Sequence, residues 1–440
     1  MHTSTALLTD HYELTMVDAA LQAGTAQRGS VFELFARRLS GARRYGVVAG
    51  TGRLLDAIER FRFTDAELEF LREHRIVSGA ALDWLADFRF SGDIWGYPEG
   101  EVFFPGSPLI IVESSFAEGV LLETLALSIL NADSAVATAA SRMSHAAAGK
   151  PLAEMGSRRT GEYSAVAAAR SAYLAGFSAT SNLEAGRRYG IPTMGTAAHS
   201  FTLLHDSERQ AFEAQVAALG TDTTLLVDTY DIEQGVRTAV EVAGTGLGAV
   251  RIDSGDLPVV VAQVRRLLDE LGATRTRITV TNDLDEHTVA ALAASPVDSF
   301  GVGTSVVIGS GTPTMGMVYK LVAHENESGE WISVAKKSAE KASVGGRKSV
   351  RRSYNARGTA TAELILLGDG PSGEPEGEDL PGVSREVLAP LVQAGEILPE
   401  HTGAAGLAAA RERHRTRVAE LPPVALSLTR GDPAIPTEYR

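Results

Sequence analysis

The sequence predicts an α/β protein whose central part is an irregular (β/α) barrel. Between residues 192 and 307, short apolar segments with strand character alternate with amphipathic segments of helical period, and the joints between them are short. Such an alternation requires parallel strands connected by right-handed crossovers. Polar residues repeatedly follow the apolar segments, which is typical of the active face of a barrel. A Rossmann-type sheet is disfavoured because no G-x-G-x-x-G follows the first of these strands.

Strand segments and intervening helices can be assigned in order along this repeating part. They are strand 225–228 (LLVD), helix 233–242, strand 249–253 (AVRID), helix 257–271, strand 277–283 (RITVTND), helix 286–294 and strand 297–307 (VDSFGVGTSVV). An earlier strand begins near Ile191 and ends before His199. The flanking sequence lacks this alternation and therefore predicts different structure.

Before residue 118, short helical patterns mix with strand-like pieces such as 29–35 (GSVFELF) and 101–112, which indicates a compact α+β unit. Residues 118–148 are rich in Ala, Ser and Leu and predict one long helix or two. After Lys320 we expect two strands, an acidic Gly/Pro-rich loop and a charged helix, at 331–334, 361–367, 368–382 and 404–421.

The composition excludes several classes of protein. None of the 440 residues is cysteine, which excludes disulfides, thiolate zinc sites and cysteine nucleophiles and suits a reducing compartment. The formal net charge of −14 disfavours a general role in nucleic-acid binding. No signal peptide is visible, and no apolar run reaches the length of about 18 residues that a transmembrane helix needs. We therefore expect a cytoplasmic protein with neither nucleic acid nor membrane as a partner.

Positive charge is concentrated in residues 336–352 (KKSAEKASVGGRKSVRR). An acidic protein that binds phosphorylated substrates needs such a local concentration of positive charge. Charge runs more often form solvated surface loops. Both interpretations stay open at this point.

Polar residues collect where the predicted strands end. They are His199, Asp228, Arg251 with Asp253, Asn282 with Asp283, and the group Gly301, Gly303 and Thr304. In RIDSGDL the donor fork of Arg251 suits a planar carboxylate or a phosphate, and Asp253 and Asp256 suit ribose hydroxyls or Mg²⁺. A structural Arg–Asp ion pair is the alternative. His199 suits a base or a phosphate-accepting nucleophile, and the alternative is a histidine with purely structural partners.

The glycine-rich segment GVGTSVV follows the last predicted strand. Its glycines allow backbone N–H groups to point at a phosphate, and Thr304 adds a hydroxyl donor, although an ordinary glycine turn is the alternative. Its late position in the series is where barrel enzymes often bind phosphate. Two weaker candidates are Arg158 for an anion and Tyr12 for stacking on a flat ring, since surface arginines and buried tyrosines are ordinary. The sequence contains no P-loop motif.

Taken together, these segments resemble the nicotinate phosphoribosyltransferase family. The matching strings are LLTDHYELTM, ETLALSILN, GSRRTGEYSAVAAARSAYLAGFSATSN, IPTMGTAAHSF, RIDSGDL, TNDLDE, FGVGTSVV, MGMVYKLV and AKKSAEKASVGGRKSV, in the family's order from residue 7 to at least residue 352. The resemblance implies a homodimer with shared active sites and an irregular barrel of the type II phosphoribosyltransferase kind. It also implies an N-terminal α+β domain (1–117), the barrel (118–325) and C-terminal segments (326–440) that pack on the N-terminal domain.

The resemblance also implies roles for individual residues. His199 resembles the histidine that ATP phosphorylates, and with Arg251 and Asp253 it forms the implied catalytic set. Tyr12 resembles a tyrosine that stacks on the substrate ring from the neighbouring subunit. The other residues implied around nicotinate are Arg158, Thr196, Ser200 and Arg251. Those implied for ribose and phosphate are Asp253, Ser254, Gly255, Asp256, Asn282, Asp283, Gly301, Gly303 and Thr304. Metal ligands are not assigned, and Ser157 and Ser178 depart from the family's usual residues near the ring pocket.

The implied reaction joins nicotinate to phosphoribosyl pyrophosphate with Mg²⁺, giving nicotinate mononucleotide and pyrophosphate for NAD salvage. ATP is the implied co-substrate, coupled through phosphorylated His199. One alternative is a nicotinamide phosphoribosyltransferase, although an uncharged amide binds arginine side chains more weakly than a carboxylate does. A Schiff-base barrel would need a lysine at a strand end, and only Lys320 comes near. A non-catalytic phosphate-binding barrel would have no need of the histidine.

Overall fold

The computed structural model describes residues 4–336, 343–368, 370–371 and 383–440. Internal contacts divide the chain into two compact units, residues 1–135 with 314–440 and residues 136–313. The boundaries inferred from the sequence, 117 and 325, differ from this division. The long helix Glu123–Ala146 includes the division at residue 135, and strand Met317–Glu325 pairs with Gly29–Ala36. Most of the predicted loop 368–382, and residues 337–342 of the basic segment, lie outside the described residues.

The unit of residues 136–313 is built on a six-stranded sheet whose neighbouring strands are all parallel. Across the sheet the strands are Ala179–Thr180, Leu152–Glu154, Ser299–Val302, Arg277–Val280, Ala249–Ile252 and Thr224–Leu226. The sheet curls into a half-barrel, which confirms the predicted fold class of an α/β protein with an irregular barrel. A single parallel bridge from Thr180 to Thr193 extends the sheet at one edge.

Helices connect these strands. They are Glu162–Leu174, Leu183–Tyr189, His199–Leu204, Glu208–Leu219, Ile232–Ala243, Leu257–Glu270, Glu286–Leu292 and Thr304–Val307. The helical periods predict three of them, Ile232–Ala243, Leu257–Glu270 and Glu286–Leu292, whereas Thr304–Val307 is helical within the segment 297–307 predicted as a strand. Leu257–Glu270 has proline in its first turn, where a missing N–H costs little, and its buried residues recur every three or four positions. Asp231 and Asp285 cap the helices that follow them by accepting backbone N–H bonds from Gln234 and Thr288.

The other unit contains a seven-stranded antiparallel sheet. Across this sheet the strands are Trp331–Ser333, Met317–Glu325, Gly29–Ala36, Pro108–Ser115, Asp93–Gly96, Ala389–Gln393 and Glu396–Ile397. A four-stranded sheet has the order Val383–Glu386, Lys348–Tyr354, Ala360–Leu367 and Thr437–Tyr439, and Gly46–Val47 pairs with Val102–Phe103. Strands from the C-terminal part thus complete the sheet of the N-terminal part, as the predicted fold class requires.

Helices of this unit pack beside its sheets. They are His11–Gln22, Thr51–Glu59, Asp65–Glu73, Gly79–Ala86, Phe116–Val120 and Gly403–Ala419, with 3₁₀ turns at Pro399–His401 and Pro423–Leu426. By length and composition alone, the stretch Phe116–Ala146 could cross a membrane, but 67% of its most apolar window is buried inside the protein. Such burial is typical of the core helix of a globular protein.

Part of the predicted basic segment forms buried ion pairs. Lys348 donates to Glu33 over 2.7 Å. Arg352, whose side chain is 1% exposed, donates to Glu101 over 2.6 Å and to Glu363 over 2.7 Å. Charges are buried in proteins when they are paired in this way. The interpretations of a solvated loop and of an anion contact are therefore both wrong for Lys348 and Arg352.

Candidate active site

The carboxyl ends of the parallel strands form the candidate site. Parallel strands end on the same edge of a sheet, so the polar residues that follow them come together. The residues at or just after these ends are Glu154, Thr180, Asp228, Arg251, Asp253, Thr281, Asn282, Gly303 and Thr304. His199 opens the short helix His199–Leu204, and its ring reaches the same edge.

His199 lies between a hydroxyl and two carboxylates. Its Nδ1 lies 3.2 Å from the Thr229 hydroxyl, and its Nε2 lies 3.9 Å from Asp228 Oδ1 and 3.8 Å from Asp253 Oδ2. The His199 side chain is 42% exposed, whereas the Asp228 side chain is 1% exposed. The imidazole is thus open to a reactant and also faces negative charge, which suits a nucleophile that gains positive charge as it reacts.

The buried Asp228 carboxylate organises the loop that follows the neighbouring strand. Its Oδ2 accepts hydrogen bonds from the backbone N–H of Asp253 at 2.8 Å and from the Ser254 hydroxyl at 2.7 Å. Its Oδ1, the oxygen that faces His199, is buried and has no hydrogen-bond partner within the described part of the chain. This oxygen is therefore available to accept from a protonated Nε2 or from a bound substrate.

Hydroxyl groups fix the orientation of Arg251. Its Nε donates to Thr281 Oγ1 at 3.0 Å, and one terminal nitrogen donates to Thr196 Oγ1 at 3.4 Å. The Thr281 hydroxyl donates in turn to Asp253 at 2.5 Å, and the second terminal nitrogen of Arg251 lies 3.6 Å from Asp253. A guanidinium held in this way, with its side chain 15% exposed, presents a fixed donor fork suited to a planar anion.

The predicted phosphate loop follows the strand Ser299–Val302. Within that strand, a Cβ on Gly301 would lie 2.6 Å from Met155 Sδ and 2.7 Å from Thr281 Cγ2, so a side chain at this position would force Met155 and Thr281 to shift. Gly303 immediately precedes the helix Thr304–Val307. The structure thus brings this loop to the same edge as Arg251 and Asp253, and its phosphate contacts stay a prediction.

The remaining residues predicted for ribose and phosphate lie in exposed loops at this edge. Ser254, Gly255 and Asp256 are exposed between the strand Ala249–Ile252 and the helix after it. Asn282 has a φ of 105°, a conformation that residues other than glycine rarely adopt. Its side chain accepts the backbone N–H of Asp283 at 2.8 Å. Strained backbone of this kind is concentrated at functional sites in proteins.

The other residues predicted around nicotinate differ in their placement. Arg158 is exposed on the loop after Leu152–Glu154, and its guanidinium makes no hydrogen bond or ion pair with any described residue. Ser200 is exposed next to His199. Tyr12 belongs to the other unit, where it is 44% exposed. Burial and then the nearby Glu123 carboxylate raise the pKa of Tyr12 to about 12, so its phenol stays neutral.

Glu154 is a buried carboxylate of the site that the sequence motifs do not identify. One of its oxygens accepts the Thr180 hydroxyl at 2.6 Å, and the other accepts the backbone N–H of Gly156. Burial raises its pKa above the ordinary value. A carboxylate that ends an apolar strand is the same signal that identifies Asp228, so this residue could have been predicted.

Glu208 and Thr281 are two further residues that sequence reasoning missed. Burial, followed by the carboxylates of Asp231 and Asp228, raises the pKa of Glu208 to about 7. Glu208 opens a helix, where an acidic residue is ordinary, so the sequence carries no signal for it. Thr281 accepts a hydrogen bond from Arg251 and donates one to Asp253, both on the neighbouring strand and the loop after it. No local sequence pattern reveals such contacts between strands.

Two family models match the chain. The model described as the nicotinate phosphoribosyltransferase N-terminal domain matches residues 7–131. The model described as the nicotinate phosphoribosyltransferase family matches residues 151–362. Together the two matches include every predicted site residue.

Relatives of known name match over most of their length. Nicotinate phosphoribosyltransferase pncB1 of Mycobacterium tuberculosis is 55% identical over 439 residues, covering 98% of this chain and 94% of the relative. Nicotinate phosphoribosyltransferase of Bacillus subtilis is 37% identical over 363 residues, covering 80% and 74% respectively. The crystal structure of human nicotinic acid phosphoribosyltransferase matches with a TM-score of 0.83 at 26% identity, covering 98% of this chain and 97% of that one.

Proposed function

The chain belongs to the nicotinate phosphoribosyltransferase family, and from this membership we propose that it joins nicotinate to phosphoribosyl pyrophosphate, coupled to ATP hydrolysis through phosphorylated His199. The products are nicotinate mononucleotide and pyrophosphate, which makes the protein an enzyme of NAD salvage. The observation that carries the ATP-coupled step is the placement of His199 Nε2 at 3.9 Å and 3.8 Å from two carboxylates.

The cations of the site support nicotinate over nicotinamide as the ring substrate. Arg251 presents an oriented fork, and Arg158 adds an exposed positive charge on another loop that follows a strand. A carboxylate accepts two charge-assisted hydrogen bonds from such a fork, whereas an amide has no charge to offer. Thr196 is uncharged, and its hydroxyl accepts a hydrogen bond from Arg251. Ser200 offers a further hydroxyl.

In the transfer step, the bond between ribose C1 and a pyrophosphate oxygen breaks, and a bond between C1 and the nicotinate nitrogen forms. C1 gains oxocarbenium character, as in other glycosyl transfers. Asp253 and Asp256 supply negative charge beside the ribose, and Gly303 and Thr304 hold its phosphate. Near neutral pH the ring nitrogen already carries a free lone pair. The site therefore works by positioning and charge stabilisation.

In the ATP-coupled step, an imidazole nitrogen of His199 attacks the γ-phosphorus of ATP. A nitrogen–phosphorus bond forms, the bond to the bridging oxygen breaks, and ADP leaves. The ring gains positive charge during this attack, and Asp228 and Asp253 stabilise that charge. Later hydrolysis of the phosphohistidine releases inorganic phosphate, restores the histidine and favours product formation over its reversal.

Mg²⁺ fits this site as an ion that arrives with the substrate. Within the described ranges, no group of three or more His, Cys, Asp and Glu side chains is arranged to hold a metal ion. Mg²⁺ commonly binds through one or two carboxylates together with substrate phosphates, and Asp253 and Asp256 offer such carboxylates. When bound, the ion neutralises charge on the departing pyrophosphate.

A homodimer with shared active sites is supported by exposed apolar side chains near the strand ends. Seven large apolar residues in the segments that follow the parallel strands are between 37% and 78% exposed. They are Tyr163, Leu183, Leu203, Leu204, Tyr230, Val259 and Ile308. The parallel topology puts these residues on the side of the sheet that carries the site. Large apolar side chains exposed together on one face of a protein mark interaction sites. The exposed Leu7, Leu8 and Tyr12 of a second copy would cover it and supply the stacking tyrosine.

A cytoplasmic location is the one that the composition favours. A chain without cysteine suits a reducing compartment such as the cytoplasm. The net charge of −14 argues against nucleic acid as a partner.

The substrate assignment is tested by offering the protein phosphoribosyl pyrophosphate and Mg²⁺ with either nicotinate or nicotinamide, with and without ATP. We expect nicotinate mononucleotide, formed faster with ATP. Arg251→Lys keeps the charge but loses the fork, so it should raise KM for nicotinate, while Arg265→Lys on an outer helix should not. Equal rates with nicotinamide would contradict carboxylate recognition. No product from either base would favour a non-catalytic phosphate-binding barrel.

A further inference from the structure

A buried carboxylate, Glu286, connects three segments of the unit of residues 136–313. It opens the helix Glu286–Leu292, which directly follows the loop that carries Asn282 and Asp283. Its Oε1 lies 3.3 Å from Nε of Arg142, and the two side chains are only 7% and 5% exposed. Its Oε2 accepts the Ser310 hydroxyl at 2.7 Å. One side chain thus ties two loops to the interior of the unit.

The segment around Ser310 folds back on the end of the predicted phosphate loop. Gly309, Ser310 and Gly311 have φ values of 60°, 54° and 78°, so three consecutive residues adopt the left-handed conformation. The Ser310 backbone N–H donates to Ser305 O at 2.7 Å, and that of Ile308 donates to Thr304 O at 3.1 Å. A serine in this conformation is strained, and a run of this kind needs an outside contact to hold it.

We propose that Glu286 is a positioning residue that sets the phosphate loop through its hydrogen bond to Ser310. This inference rests on the proposed function, because it assigns the loop to phosphoribosyl pyrophosphate. The Glu286 carboxylate fixes Ser310, Ser310 fixes the turn after Thr304, and the turn fixes the backbone N–H groups that receive the phosphate. Neither Glu286 nor Ser310 touches the substrate.

Arg142 makes this arrangement rigid. A carboxylate buried in the interior needs a partner cation, and Arg142 comes from the core helix Glu123–Ala146, which does not belong to either loop. The carboxylate therefore has a fixed place, and the loops take their positions from it. A purely structural role would instead affect stability and the binding of both substrates together.

Ser310 is the position at which these two roles can be separated. Ser310→Gly removes the hydroxyl and relieves the backbone strain, so the relief of strain offsets part of the cost of leaving Glu286 Oε2 without this donor, and the unfolding temperature should change little. Ser310→Asn also accepts the left-handed conformation, and its amide can donate to Glu286. Ser295→Ala, in the loop after the same helix, is the matched control. The readouts are the Kd for phosphoribosyl pyrophosphate by calorimetry, both KM values and the unfolding temperature.

For Ser310→Gly we expect the Kd and KM for phosphoribosyl pyrophosphate to rise about tenfold, the loss typical of one hydrogen bond to a charged group. KM for nicotinate should stay unchanged, and Ser310→Asn should recover most of the affinity. An unchanged Kd in Ser310→Gly would overturn the proposal, and so would equal increases in both KM values with a lower unfolding temperature. Because the Kd is measured without turnover, a protein that binds phosphoribosyl pyrophosphate but makes no product would refute the proposed function alone.

Discussion

Replacing Asp228 with asparagine removes one charge from the site with little change in shape. The amide oxygen can occupy the place of Oδ2 and still accept the Asp253 N–H and the Ser254 hydroxyl, which lie at 2.8 Å and 2.7 Å. The amide nitrogen then takes the place of Oδ1, 3.9 Å from His199 Nε2. Since both hydrogen bonds survive, we expect the free energy of unfolding to change by less than about 1 kcal/mol.

The charge itself should matter for the ATP-coupled step. At about 4 Å, two unit charges near a protein surface interact by about 4 kcal/mol, which is an upper limit here. The His199 ring is 42% exposed, so solvent screening reduces this value. A remaining effect of about 1.5 to 2 kcal/mol would slow phosphoryl transfer to His199 roughly 10- to 30-fold. The rate without ATP should fall less, because that rate does not require the histidine to gain charge.

The assay compares initial rates of nicotinate mononucleotide formation with and without ATP for wild type and Asp228→Asn. Asp222→Asn is the control, since the side chain of Asp222 is 93% exposed. We expect the ratio of the rate with ATP to the rate without ATP to fall strongly in Asp228→Asn and to be unchanged in Asp222→Asn. A wild-type ratio in Asp228→Asn would refute the view that this carboxylate stabilises charge on the histidine.

Further predictions concern stability, pH and the phosphate loop. Arg352→Met should lower the free energy of unfolding by about 3 to 5 kcal/mol in chemical denaturation, because the buried Glu363 loses its paired cation while Glu101 keeps Arg385 and Arg417, whereas Arg187→Ala on the surface should change it little. Burial raises the pKa of Glu33 from 4.5 to about 7 despite its pairing with Lys348, so between these pH values the folded state keeps a proton that the unfolded chain releases, and the pair is charged above them. Stability contributed by this group is therefore lost as the pH rises from 4.5 to about 7, and in Glu33→Gln denaturation midpoints should fall less over that window. Gly301→Ala places a methyl group 2.6 Å from a methionine sulfur and should raise KM for phosphoribosyl pyrophosphate, whereas Gly246→Ala meets open space and should not.

Each of these predictions has an outcome that contradicts it. Equal unfolding free energies for wild type and Arg352→Met would mean that the buried charges relax without their partner. Identical pH profiles for wild type and Glu33→Gln would show that this carboxyl is ionised in the folded state at low pH. Normal kinetics for Gly301→Ala would show that the strand accommodates a side chain without disturbing the loop.

The parallel part of the fold is predictable because its periods are local. The helix predicted at 257–271 is found at Leu257–Glu270, since its apolar spacing depends only on neighbouring residues. The antiparallel sheet is different, because it pairs segments that are far apart in sequence. Gly29–Ala36 pairs with Met317–Glu325, and Asp93–Gly96 pairs with Ala389–Gln393. No local pattern specifies such partners, so the sequence indicates the strands but not their order.

The candidate site is predictable to the extent that strand ends can be read from the sequence. His199, Arg251 and Asp253 come together because parallel strands end on one edge. His199 Nε2 lies 3.8 Å from Asp253 Oδ2, and a terminal nitrogen of Arg251 lies 3.6 Å from the same oxygen. The organising role of Asp228 depends on its burial and on hydrogen bonds across two strands, which a linear pattern cannot reveal. Tyr12 lies in the other unit, and its part in ring binding stays a prediction.

The central claim, that His199 carries the phosphoryl group of ATP, is tested most directly by labelling. The protein is incubated with ATP labelled at the γ-phosphate, and the modified residue is located by mass spectrometry under conditions that preserve the acid-labile nitrogen–phosphorus bond. We predict label on His199, and we predict that His199→Gln loses both the label and the ATP-dependent part of product formation. Label on another residue, or ATP-dependent rates unchanged in His199→Gln, would contradict the account.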